Sequence, residues 1–268
     1  MAVNMIVCAK QIPDPEAPPA SFKVDPNTNK MVVASSVSSV ISPYDENAME
    51  AALRIRDKQG GKITVISLGN KLQRDVVKKP LSMGGDELIL LDDEAFEEGD
   101  AWSTAFALTS AIKKIGAYDL IFCGRVGGDW DQGQVGLAIA EILGIPVITI
   151  AKDVEILDTK AKVTRLTAEG YEVVESPTPC LITVTSELGE PRYPTLMGIR
   201  KAGKIQPTVW KPQDIGLSPS EVGAQGRKST LIKLFQPVKE AKCEIIEGEN
   251  IGEAAINLAL KLREIKVI

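Results

Sequence analysis

Gly124-Arg125-Val126-Gly127-Gly128-Asp129-Trp130-Asp131-Gln132-Gly133-Gln134-Val135-Gly136 joins two different patterns. Before it, residues 118–123 form an apolar run with the length of a buried strand. After it, Val135, Ile139, Ile142 and Leu143 recur at helical spacing as far as Gly144. A strand that passes through a glycine-rich turn into a helix is the layout by which a sheet presents backbone N–H groups to a phosphate. Asp131 is placed to cap that helix, which leaves the amides of residues 132–135 without intrahelical acceptors. Those donors and the positive end of the helix dipole suit a phosphate ester. Gly127, Gly128 and Gly133 remove side chains that would hold a ligand away from the backbone. The same residues also read as an ordinary tight turn that caps a helix. Neither the P-loop pattern nor a strict Gly-x-Gly-x-x-Gly is present.

Outward from this turn, strand and helix patterns alternate. Residues 3–9, 63–68, 87–91 and 120–124 read as buried strands, and residues 31–34 as a short edge strand. Ser42-Pro43-Tyr44-Asp45 opens a helix to residue 57, with a serine cap, proline at the first position and early acids, and Gly60-Gly61 stops it. Residues 72–83 and 100–115 read as helices, the first kinked by Pro80. Residues 12–29 read as a proline-rich connection. The alternation predicts an α/β fold, a doubly wound, mostly parallel sheet covered on both faces. After residue 145 the strands become short and close: 147–151, 154–157, 162–167, 171–176 and 180–185, with turns at Asp158-Thr159-Lys160 and Glu169-Gly170. Hairpins therefore extend the sheet. Residues 190–204 are a polar loop leading into a short helix, 207–228 an extended tether, and 231–235 a possible strand. Residues 248–265 form a helix with Ile251, Ala255, Leu258 and Leu262 on one face, suited to packing on another subunit or to folding back onto the main domain. The expected division is a nucleotide- or flavin-binding α/β domain over residues 1–204 and a C-terminal partner-wrapping arm over residues 205–268.

Composition narrows the chemistry. The chain has no histidine among its 268 residues, which removes the usual general base and the commonest metal ligand. Cys8, Cys123, Cys180 and Cys243 are scattered without Cys-x-x-Cys spacing, three of them in or beside apolar runs, the pattern of buried thiols in a reducing cytoplasm, with no metal expected. A net charge of −5 with mixed signs argues against a nucleic-acid partner. The apolar runs are too short to span a membrane, and the first apolar stretch lacks the basic flank of a signal peptide. Chemistry here is expected to come from a bound cofactor rather than from catalytic side chains.

Three stretches together resemble the β subunit of electron transfer flavoproteins: residues 42–54, the 124–136 turn, and Glu190-Pro191-Arg192-Tyr193-Pro194-Thr195-Leu196. Residues 163–183 and Cys8-Ala9-Lys10-Gln11-Ile12-Pro13-Asp14 also follow the family's pattern, with Ala168 departing from it at an acidic position. The similarity covers nearly the whole chain in order. It implies an adenine-nucleotide α-hydrolase-like fold and a heterodimer with an α subunit that holds the electron-transferring FAD. It also implies a second adenine-nucleotide site on this chain. The implied contacts are Cys8, Ala9 and Lys10, then Ser42, Pro43, Tyr44 and Asp45, Leu68, and Arg125, Val126, Gly127, Gly128, Asp129, Trp130, Asp131, Gln132, Gly133, Gln134, Val135 and Gly136.

Within that set Arg125 is the cation for phosphate or flavin, with a solvated loop arginine as the alternative. Asp129 either accepts from a ribose hydroxyl or caps the helix. Trp130 either covers adenine or packs the turn, and Tyr44 either stacks or staples its helix. In one form of the family the site holds structural AMP. In the electron-bifurcating form it holds FAD, which takes a hydride from NADH and divides the electrons between ferredoxin and a partner flavin dehydrogenase, here expected to be of acyl-CoA type. Small residues at Val126-Gly127-Gly128 and the lack of an aromatic residue in Gln11-Ile12-Pro13-Asp14-Pro15 favour FAD. A nucleotide-sensing module without redox chemistry is the remaining alternative. Residues 190–203 resemble the loop that docks the dehydrogenase, with Leu196 as anchor among Arg192, Arg200, Lys201 and Lys204.

Overall fold

The computed structural model describes residues 2–237 and 243–268. The chain runs through β1 (Met5–Cys8), β2 (Gln11–Pro13), β3 (Phe22–Asp25), β4 (Lys30–Val33), β5 (Ser39–Ile41), α1 (Pro43–Gln59), β6 (Ile63–Gly69), α2 (Arg74–Val77), α3 (Lys79–Met83) and β7 (Glu87–Asp92). It continues through α4 (Ala101–Ile115), β8 (Leu120–Gly124), α5 (Val135–Leu143), β9 (Val147–Leu157), β10 (Lys160–Thr167), β11 (Gly170–Pro177) and β12 (Cys180–Val184). The last elements are α6 (Leu196–Lys204), β13 (Thr208–Trp210), α7 (Gly223–Gly226) and α8 (Ile251–Glu264).

One sheet has the order β11-β10-β9-β12-β8-β1-β6-β7-β13. Every neighbouring pair from β9 to β13 is parallel, and β10 and β11 extend the sheet antiparallel to β9. Side chains alternate across it, as the two-residue period of a strand requires. Met5 and Val7 face the layer of α1, α2 and α3, whereas Ile6 and Cys8 face α4 and α5. The fold is therefore the doubly wound, mostly parallel α/β sheet that the alternating pattern predicts.

Several local expectations need correction. The helix expected over residues 72–83 is two, broken at Lys78, with Pro80 in the first turn of α3. Residues 31–34 do not edge the main sheet; among the described residues β4 pairs only with β3, in a hairpin that begins within the expected connection, and β2 pairs with β5. The two strands expected within residues 147–157 are the single strand β9, which is bent where Ile150 takes φ 59°. Its displaced amide donates to the Thr183 hydroxyl at 3.0 Å. Residues 207–228 are not a tether. They give the sheet its edge strand β13 and bury Ile215, Leu217 and Val222 against the α4 layer. A three-residue strand and single 3₁₀ turns are too short to show periodicity, so this segment reads as irregular in sequence. Residues 231–235 form no strand. No residue of α8 is buried, and Ile251 is 90% exposed. Among the described residues, no helix is long and apolar enough to cross a membrane.

Candidate functional site at the carboxyl edge of β1 and β8

The order of the strands creates the crevice. From β1 the chain moves outward to β6 and β7, then returns through α4 to place β8 on the other side of β1. Loops leaving β1 and β8 consequently turn to opposite faces, which is where doubly wound sheets bind ligands. Cys8, Leu68 and Gly124 lie at or beside the carboxyl ends of β1, β6 and β8.

Three polar ties hold this edge together. Asp45, in the first turn of α1, is only 7% exposed. Its two carboxylate oxygens accept from the Lys10 amide at 2.8 Å and the Gly124 amide at 2.9 Å. Ser42 is fully buried, donates its amide to the Lys10 carbonyl at 2.9 Å, and offers its hydroxyl to the Gly128 amide at 3.4 Å. Lys10 Nζ reaches both oxygens of Asp129 at 2.7 Å. Asp129 is thus committed to an ion pair, neither free for a ribose nor capping a helix.

Ser42 and Asp131 do not cap as the sequence suggests. Ser42 sits at the N-cap of α1, but its hydroxyl makes no cap bond there. Asp131 (φ 56°) and Gly133 (φ 64°) both take the left-handed conformation, so the turn coils once more before the helix begins. Gln134, not Asp131, is the N-cap of α5. The consequence is an open run of donors. From Gln132 to Leu137 none of the six amides donates to a protein acceptor among the described residues. In α1 by contrast, Pro43 has no N–H, and the Asp45 and Glu46 amides are taken by the Ser42 carbonyl. Both helices begin at this edge, but the open run of amides belongs to α5.

The residues in and around the cradle fit a phosphate-bearing nucleotide. The Arg125 backbone is fixed by donation to the Val184 carbonyl at 2.8 Å, and its guanidinium lies 5.2 Å from the centre of the Tyr44 ring. Arg125 Nε is one of three buried side-chain polar atoms without a partner among the described residues. A buried guanidinium nitrogen with unused donor capacity and six open amides, all in the segment that follows β8, are donors suited to oxygen ligands. Trp130 is 46% exposed, so it is not packing for the turn, and Tyr44 serves as the platform for Arg125. Cys8 is buried with its side chain in the α4–α5 core layer and offers the site backbone only. Leu137's amide extends the cradle beyond the predicted set. Its signal is the helix start at Val135, since the first turn of any helix leaves its amides open.

At the 190–204 segment, Leu196 begins α6 and is 79% exposed. Thr195 caps α6 by accepting the Gly198 amide at 3.0 Å, and Tyr193, Met197 and Ile199 add exposed apolar surface. Arg200, Lys201 and Lys204 are exposed around it. Arg192 is not part of that free collar. Its guanidinium binds Glu50 at 2.8 Å and Asp57 at 2.7 Å, which fastens the loop to α1.

The model described as the electron transfer flavoprotein domain matches residues 30–215. The chain is 39% identical, over 99% of its length and 100% of the relative's, to the caffeyl-CoA reductase-Etf complex subunit CarD of Acetobacterium woodii. It is 41% identical, at the same coverage, to the electron transfer flavoprotein subunit beta of Thermoanaerobacterium thermosaccharolyticum. It is also 34% identical to protein FixA of Azotobacter vinelandii, over 95% of this chain and 93% of that one. With the switch-point crevice and its cradle, these matches make the chain a β-subunit member of the electron transfer flavoprotein family.

Proposed function

We propose that this chain works with an α subunit in electron transfer, holds FAD at the β1–β8 edge, and takes part in electron bifurcation from NADH to ferredoxin and a flavin dehydrogenase. The observation that carries the nucleotide reading is the run of six open amides at the start of α5 beside Arg125. Bound FAD supplies hydride acceptance and single-electron release, neither of which any side chain here can perform. The protein's own part is to hold the phosphates. The 132–137 amides and the α5 dipole receive them, and Arg125 offers Nε. The Lys10–Asp129 pair closes the crevice beside Gly127.

The likeness to a subunit of a caffeyl-CoA reductase complex supports a dehydrogenase partner of acyl-CoA type. The exposed Leu196 within Arg200, Lys201 and Lys204 suits a small, steered, transient contact with it. The reading is tested by denaturing the purified complex with the α subunit and identifying the released nucleotide by absorbance and mass. Two flavins per pair are expected. One flavin with AMP would overturn FAD and bifurcation, leaving a simple electron carrier.

A further inference from the structure

The resemblance counts Asp45 among the nucleotide contacts, yet its carboxylate has no free oxygen facing a ligand. One oxygen receives the amide of Lys10, two residues after β1 ends, and the other the amide of Gly124, the last residue of β8. The carboxylate itself belongs to the first turn of α1. A single buried group thus joins the exits of two neighbouring strands to the start of the helix that packs on them. The fit is close. A Cβ at Gly124 would lie 2.6 Å from Asp45 Oδ1 and 2.7 Å from Tyr44 Cβ. We infer that Asp45 is a positioning residue that fixes the spacing of the Lys10 and Arg125 arms of the crevice without touching the nucleotide. This inference rests on the nucleotide reading above for its functional consequence, but not for its geometry.

The surroundings make the bolt sensitive to its own ionisation. Lys10 faces Asp45 from the exit of β1, with its ammonium committed to Asp129. Asp129 opposes it from the turn after β8, and the Cys123 thiol lies on the strand below. Arg125 faces the neighbouring Tyr44 ring. Burial pushes the Asp45 carboxyl up to about 7, against the pull of the two amide bonds and of Lys10. The ionised group accepts from both amides. Protonation puts a hydroxyl on one oxygen and weakens the bond there.

The test uses the full chain in complex with its α subunit, stripped of the nucleotide at this site, as wild type and as Asp45→Asn and Asp45→Ala. FAD and AMP are titrated separately as probes, and hydrogen exchange is followed at the Lys10 and Gly124 amides. Asp45→Asn turns an N–H₂ toward an N–H, so probe affinity is expected to fall at least about tenfold with α-subunit flavin unchanged. Protection of the two amides in wild type, without any probe, is expected to fall as pH drops through about 7 and to be low and flat with pH in both variants. That wild-type profile needs no variant to fold. Equal probe affinity in wild type and Asp45→Asn, or amide protection indifferent to pH, overturns the inference. A wild type that binds neither probe overturns the nucleotide reading instead, and leaves the amide profile to decide on Asp45.

Discussion

At the scale of single residues, the crevice is shaped by what is missing as much as by what is present. Gly124 ends β8 directly beneath the first turn of α1, and an added methyl would meet Tyr44 and Asp45 within 2.8 Å. Two of those atoms belong to packed backbone or the Cβ of a fixed turn, so the clash cannot be relieved by rotating a side chain. Gly124→Ala is expected to destabilise the chain by about 1–3 kcal/mol, read as a lower denaturation midpoint with unchanged slope. An unchanged midpoint would mean that α1 shifts without cost. Gly128 is more forgiving, since its methyl would meet the flexible end of Ile12 at 3.1 Å. Sequence shows that these positions are glycine, but not which neighbour each one accommodates. It likewise shows Arg192 among other cations, whereas only the fold brings Glu50 and Asp57 of α1 to it and removes it from the docking collar.

At the scale of elements, Asp100 does the work of two residues. One oxygen caps α4 by accepting the Ser103 amide at 2.9 Å. The other accepts the amides of Lys228 and Ser229 at 2.8 Å and the Ser229 hydroxyl at 2.9 Å. Lys228 Nζ then lies 3.5 Å from the centre of the Trp102 ring, on the same helix. Here the C-terminal segment leaves the body of the protein, and Asn29 holds it once more through Leu231 and Leu234. Burial acts to raise the Asp100 carboxyl, but its hydrogen bonds outweigh burial and bring it down to about 2. A depressed carboxyl adds stability above its unfolded value of 3.8, and that stability is lost as pH falls from there toward 2. Asp100→Ala is expected to cost about 1–2 kcal/mol through the lost cap, to remove this acid dependence, and to speed tryptic cleavage after Lys228. Cleavage at the wild-type rate would mean that the segment is not held there. The helix was legible in the sequence from Asp100 onward because an apolar helical period begins there. The clamp was not, because its donors lie 128 and 129 residues away. The same division runs through the fold. Elements long enough for a period, such as α1, α4 and β6, were readable, while β13 took shape only when β7 offered it an edge.

At the scale of the whole molecule, two exposed apolar surfaces lie on separate elements, and under the proposed function they serve different partners. α6 carries Leu196 and Met197 at 79% and 74% exposure among exposed Arg200, Lys201 and Lys204. A few apolar side chains inside a basic rim provide steering and rapid release, as repeated electron delivery needs. α8 instead carries Ile251, Leu258 and further exposed apolar residues along a helix with no buried residue. A helix of 14 residues is marginal alone in water. Its apolar stripe is suited to lasting burial, which on this reading the α subunit provides. The two surfaces should therefore fail separately. Leu196→Ala is expected to leave assembly and flavin content intact and to slow reduction of the dehydrogenase several-fold, most clearly at low ionic strength. Ile251→Asp with Leu258→Asp is expected to leave the α/β body folded, with an unchanged denaturation midpoint, while preventing co-elution with the α subunit. If the α8 variant still assembles, the stripe is not the α-subunit contact. If Leu196→Ala transfers electrons at the wild-type rate, docking lies elsewhere on the surface. Neither result alters the crevice at β1 and β8, which is held by Asp45, Ser42 and the Lys10–Asp129 pair within the body.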